Sequence, residues 1–206
     1  MRRKKIQEHH LFYATACFLL LILALLKPVF LLTIDKNMAK QFYNFLRNPF
    51  ISLFLSFITN YTIGSLFFAP LIVTIILFLR VKIKGIIYFF IGFGSLAVIR
   101  YLLQSFFGRQ RPFVINQNTP YLGQISPYGS SFPSFHAMTA FFVAYFLVEY
   151  LRLKHLPTFF LYLLAFLVAV SRVYLGAHFP ADVLVGAFIG LLWGHLFFHL
   201  SNLRLK

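Results

Sequence analysis

The amino-acid sequence predicts an all-α polytopic membrane protein with six transmembrane helices and both termini in the cytoplasm. Three observations predict it. Of 206 residues, 60% are hydrophobic and only 11% are charged, with a mean hydropathy of +0.82, against about 25% charged in soluble domains. The apolar residues gather into six runs, each near the roughly 20 residues that cross a hydrocarbon core about 30 Å thick. Between the runs stand short interruptions that carry the Lys and Arg.

The first run covers 11–32, with Lys27-Pro28 near its outer end. It follows "MRRKK" and imitates a secretory signal. Its one small-x-small triplet, Ala14-Thr15-Ala16, precedes the apolar core, so the sequence predicts an uncleaved helix. The second run is 61–79, the third 85–105, the fourth 135–151, the fifth 156–172 and the sixth 182–201. Lys and Arg in short loops stay cytoplasmic. With the N-terminus inside, eleven of the nineteen fall on inside segments: Arg2, Arg3, Lys4, Lys5, Arg80, Lys82, Lys84, Arg152, Lys154, Arg204 and Lys206. The outer side then holds loops of 33–60, 106–134 and 173–181. The first mixes charges with aromatics and is expected to lie along the membrane interface. The chain reads as a single domain over 1–206, with its motif-bearing core at about 100–185.

The net charge of +15 rests on nineteen basic residues against four acids, Glu8, Asp35, Glu149 and Asp182. So few acids mean that each needs a reason. Nucleic acid is not the expected partner, because the basic residues do not cluster on one soluble face. Anionic lipid in the surrounding bilayer is. Cys17 is the sole cysteine, which excludes an intrachain disulfide and a Cys-based metal site.

The polar residues of the outer loops carry the chemistry. "GRQRPF", Gly108 to Phe113, opens the second loop and "FPSFH", Phe132 to His136, closes it; "SRVYLGAHFPAD", Ser171 to Asp182, spans the third. Taken singly, an arginine there snorkels to headgroups, a histidine is an amphipathic side chain and a serine is an N-cap. Together they converge on one side of the membrane. If the helix has begun by His178, or the chain bends tightly at Pro180, His178 and Asp182 share one face at i,i+4. A carboxylate on one imidazole nitrogen fixes the tautomer and leaves the other a nucleophilic lone pair. Pro180 suits the first helical turn, where Asp182 gains from the N-terminal dipole. Arg111 and Arg172 can grip phosphate oxygens with their forks, and Ser134 with the N–H groups opening the fourth helix can complete an anion cradle.

These residues resemble the type 2 phosphatidic acid phosphatase (PAP2) superfamily, whose motifs are Lys-x6-Arg-Pro, Pro-Ser-Gly-His and Ser-Arg-x5-His-x3-Asp. This chain has Gln104-x6-Arg111-Pro112, Pro133-Ser134-Phe135-His136 and Ser171-Arg172-x5-His178-x3-Asp182. The third motif matches at every defined position and the second at three of four. The resemblance implies a membrane lipid phosphatase of the family's six-helix branch, working without metal or other cofactor and with its site on the extracytoplasmic side of a bacterial inner membrane. Its catalytic residues would be His178, the nucleophile that becomes phosphohistidine, Asp182, which orients it, and His136, which protonates the leaving oxygen and later activates water. Its phosphate-binding residues would be Arg111, Arg172, Ser134, the Phe135 backbone N–H and, in the lysine position, Gln104. Two departures stand out. Gln104 exchanges a cation for a neutral donor, for which Arg100 or Arg109 could substitute, and Phe135 puts bulk where the family has glycine.

The substrate implied is a phosphorylated lipid: undecaprenyl diphosphate, phosphatidylglycerol phosphate, phosphatidic acid or lipid A. The segment from Phe113 to Ser134 has no charge, only polar groups such as Asn116, Gln117, Asn118 and Gln124, which favours a pocket that grips phosphate and little else. A non-catalytic lipid-phosphate binder or transporter is the alternative that Gln104 suggests. Vanadate-dependent oxidation is permitted by the shared motifs but disfavoured by the membrane setting.

Overall fold

In the computed structural model, the described residues are 35–39, 41, 48–58, 75, 78–79, 83–115 and 129–201, and they contain helices and no strand. Five helices matter here: α1 (Pro49–Ile58), α2 (Ile83–Phe107), α3 (Phe135–Leu151), α4 (His155–Tyr174) and α5 (Pro180–Ser201). Helices α2, α4 and α5 are long and apolar enough to cross a membrane, and α3 is a shorter apolar helix. The last four agree with the predicted runs to within about two residues, the ordinary uncertainty of a helix end. The predicted helix 11–32 lies outside the described residues, as does 61–79 apart from Ile75, Phe78 and Leu79.

Helix α1 lies in the predicted first outer loop. Asn48 caps it, its side-chain oxygen accepting from Phe50 N at 2.8 Å. Leu55 turns inward against Tyr174 and Leu175, and Ser52 Oγ hydrogen-bonds the Tyr174 hydroxyl. Phe50, Leu53, Phe54 and Phe57 remain exposed, the apolar face an interfacial helix requires.

The centre is the pair α3 and α5, with α2 and α4 packed on it. Phe89 and Leu96 of α2, Met138, Phe142 and Phe146 of α3, and Val185, Ile189 and Phe198 of α5 form the main apolar cluster. A polar stitch crosses it, Trp193 Nε1 donating to Ser95 Oγ at 2.7 Å. Without water to drive helices together, close approach of backbones must do so, and small residues permit it. At Gly186 a Cβ would sit 2.6 Å from the Ser134 carbonyl oxygen, and at Gly190 it would meet the Met138 carbonyl. Neither obstacle is a side chain that can swing away. Gly186→Ala is therefore expected to cost about 1–3 kcal/mol and to lower activity, because it pushes α5 off the residue that opens α3. Melting in detergent reads the first effect and turnover the second.

Candidate active site

Two glycines with left-handed backbones aim the site loops. Gly108 (φ +55°) ends α2, its N–H on the Gln104 carbonyl at 3.0 Å, and Gly176 (φ +70°) ends the chain's run through α4. An L-residue pays strain in that region, whereas glycine does not. The first turn throws Arg109 and Arg111 inward. The second folds 177–179 back, so that Ala177 N and His178 N both reach the Arg172 carbonyl at 3.1 Å.

His178 is buried at that turn, 3% exposed. Its Nδ1 lies 2.7 Å from the Ser131 carbonyl oxygen. A carbonyl only accepts, so Nδ1 carries the proton and Nε2 keeps its lone pair. Arg111 Nη1 stands 3.4 Å from that Nε2 and also donates to the Ala177 carbonyl at 3.0 Å. Arg111 Nε donates to the Gly129 carbonyl at 3.1 Å. These carbonyls fix the guanidinium plane beside the nitrogen. Burial pushes His178 down from 6.5 to about 4, with the Asp182 carboxylate opposing and Arg172 and Arg111 adding to the fall.

The opening of α3 meets the start of α5. Ser134 N donates to the Asp182 carbonyl at 3.0 Å, which ties α3 to the start of α5. Ser134 takes the N-cap position, yet its hydroxyl makes no cap bond. Ser134 Oγ and His136 Nε2 are both buried with no hydrogen-bond partner among the described residues. Buried polar atoms are normally paired, and the N–H groups of a first helical turn have no acceptor within their own helix. Arg172, 2% exposed, ends α4 in the same region. Its charge adds to the lowering at His178.

Several placements differ from the sequence expectation. The partner of His178 Nδ1 is the Ser131 carbonyl; the Asp182 carboxylate stands 3.8 Å away, beyond hydrogen-bond length. Asp182 instead holds the surrounding frame. Its Oδ2 accepts from Phe179 N at 2.8 Å, the reach-back half of a capping box, and its Oδ1 accepts from Arg109 Nη1 at 2.6 Å. Gln104 spends its amide on the Ser130 carbonyl at 2.9 Å, so it tethers the loop before Ser131. Arg109 does not take the lysine's place either, being clamped between Asp182 and Asp35. Arg100 lies over the Phe135 ring, 5.2 Å from its centroid. Phe135 opens α3 with negative φ, Arg152 being the sole non-glycine residue with positive φ among those described, so no glycine is needed there. The polar residues Asn116, Gln117, Asn118 and Gln124 lie outside the described residues.

Asp35 is the residue the motifs do not reach. Its Oδ2 accepts from Arg109 Nη2 at 2.6 Å and its Oδ1 from Ala181 N at 3.0 Å. One buried guanidinium thus joins the segment that carries Asp35 to the helix that carries Asp182. The signal available was the scarcity of acids, since a carboxylate in so basic and apolar a chain must be paired.

The chain is similar to proteins of known class. It is 35% identical over 158 residues to phosphatidylglycerophosphatase B of Bacillus subtilis, covering 71% of this chain and 73% of that protein. It is 29% identical over 159 residues to an undecaprenyl-diphosphatase of the same organism, covering 76% and 78%. The similarity to the lipid A 4'-phosphatase of Bacteroides thetaiotaomicron is 40% over 74 residues, 36% of this chain, and spans only 32% of that protein's length. Among solved structures, the PAP2-type phosphatidylglycerolphosphate phosphatase of Bacillus subtilis superposes with a TM-score of 0.73 at 29% identity, over 94% of this chain and 97% of that one. The PAP2 superfamily pattern matches residues 84–206, which includes every motif residue described above, and the chain belongs to that superfamily.

Proposed function

We propose that this protein is an integral membrane lipid phosphatase that releases inorganic phosphate from a phosphorylated lipid through a phosphohistidine intermediate. One observation carries the reading: Arg111 Nη1 stands 3.4 Å from the lone-pair nitrogen of His178. A fixed cation beside a nucleophile has a chemical use when the electrophile is an anion, and its fork matches phosphoryl oxygens.

In the proposed cycle His178 Nε2 attacks phosphorus and the P–O bond to the lipid breaks. His136 protonates the departing oxygen, then takes a proton from the water that hydrolyses the N–P bond. Arg111, Arg172, Ser134 Oγ and the first N–H groups of α3 stabilise the oxyanions, which supplies the charge compensation without a metal. Asp182 keeps the His178 loop in register through Phe179 and Arg109. The distribution of Lys and Arg supports six spans with cytoplasmic termini and a site on the extracytoplasmic side of a bacterial inner membrane.

The substrate candidates are phosphatidylglycerol phosphate, an isoprenoid diphosphate, phosphatidic acid and lipid A. Purified protein is expected to release phosphate from at least one of them in a detergent panel. Binding of these lipids without phosphate release from any, by protein that remains folded, would replace the enzyme reading with that of a lipid-phosphate binder.

A further inference from the structure

We infer that Arg100, seated on the ring of Phe135, is a specificity-determining cation on the leaving-group side of the site and that it favours lipids whose leaving group is itself a phosphate. The inference rests on the phosphatase reading and adds a selectivity to it. In an in-line displacement the leaving oxygen departs opposite the nucleophile. In the proposed cycle that side belongs to His136, and Arg100 approaches it from α2, seated on Phe135, the residue that precedes His136 at the start of α3. The guanidinium carbon lies 5.2 Å from the Phe135 centroid, within the range of a cation–π contact. A glycine at 135 would leave the cation without this seat. Arg100 is half-exposed, unlike the buried Arg111 and Arg172, so it can meet a group that enters with the substrate.

The chemistry distinguishes two substrates. With a lipid monophosphate, the bond broken leaves an alcohol, which needs a proton from His136 and carries no charge afterwards. With a lipid diphosphate, Nε2 of His178 forms the bond to the terminal phosphorus, and the bridging oxygen departs with its electron pair on a lipid monophosphate. That leaving group gains negative charge as the bond breaks, which a nearby cation stabilises more in the transition state than in the ground state. Arg100 thus contributes to one reaction and is idle in the other.

Farnesyl diphosphate and farnesyl monophosphate, identical in tail, test this. Arg100→Gln is expected to lower kcat/KM for the diphosphate by about 10- to 100-fold, the scale of a hydrogen bond to a charged group, and for the monophosphate by no more than about threefold. Phe135→Leu, which keeps the backbone N–H and removes the ring, is expected to shift the ratio in the same direction by a smaller factor. Inorganic diphosphate should inhibit the unaltered protein more strongly than inorganic phosphate does, and Arg100→Gln should abolish that difference. Equal losses on both farnesyl substrates, or none on either, in both variants would overturn the inference while leaving the phosphatase reading intact. Hydrolysis of neither by the unaltered protein, and of no other lipid phosphate, would remove that reading and this inference together.

Discussion

Arg109→Met should destabilise the protein by about 3–5 kcal/mol, the cost of removing one partner from a buried ion pair, and should cut turnover by at least about 100-fold, as small misplacements of catalytic groups do. The reason lies in what the side chain separates. Its two terminal nitrogens each hold a carboxylate at 2.6 Å, Asp35 on one side and Asp182 on the other, and the three side chains are between 0% and 7% exposed. Its guanidinium also lies 4.2 Å from the Phe179 ring centroid. Without it, two buried anions are left facing each other, and Asp182 moves with the Phe179 N–H that fixes the His178 loop. Arg109→Lys keeps one charge but has no fork to span both acids, so an intermediate loss is expected. Adding Asp35→Asn to Arg109→Met should give less than the sum of the two losses, because one partner has already gone. Detergent melting and phosphate release measure both effects; full stability and activity in Arg109→Met would show that the clamp is dispensable.

His178→Gln should leave the fold standing and reduce phosphate release to background. The amide can still donate to the Ser131 carbonyl, but it offers no nucleophilic lone pair in place of Nε2. The unaltered protein should show a distinctive acid limb. Attack requires the neutral ring, and burial holds His178 at about 4 instead of 6.5. The nucleophile therefore stays competent as pH falls past the ordinary imidazole range and is lost only as pH passes down through about 4. A pH profile of kcat/KM, corrected for ionisation of the substrate phosphate, checks this. An acid limb near 6.5 would mean that the ring is more hydrated than its position among 131, 177 and 182 allows.

The parts of this site legible in the sequence are those encoded locally. Ser171-Arg172-x5-His178-x3-Asp182 brings its residues together because one turn at Gly176 and one helix start at Pro180 determine the geometry. The positions of the last four helices were legible for the same reason, since an apolar run long enough to cross a bilayer has few alternatives. What the sequence withheld is long-range or made of main chain. Arg109 meets Asp35 and Asp182 across 74 and 73 residues, and no periodicity records such a pairing. The proton on His178 is positioned by the Ser131 carbonyl, a group every residue possesses. Gln104 reads as a missing cation, whereas its amide tethers Ser130. Phe135 reads as an intrusion into a glycine position, yet its backbone is ordinary helix and its ring seats Arg100.

The central claim is that His178 carries the phosphoryl group between lipid and water. Mixing the protein with a lipid phosphate radiolabelled at the terminal phosphorus, quenching in alkali within a turnover and mapping the label by peptide analysis tests it directly. The account predicts an alkali-stable, acid-labile label on His178 that disappears as inorganic phosphate forms and never appears in His178→Gln. An active protein with no label under single-turnover conditions, or with the label on another residue, would contradict it.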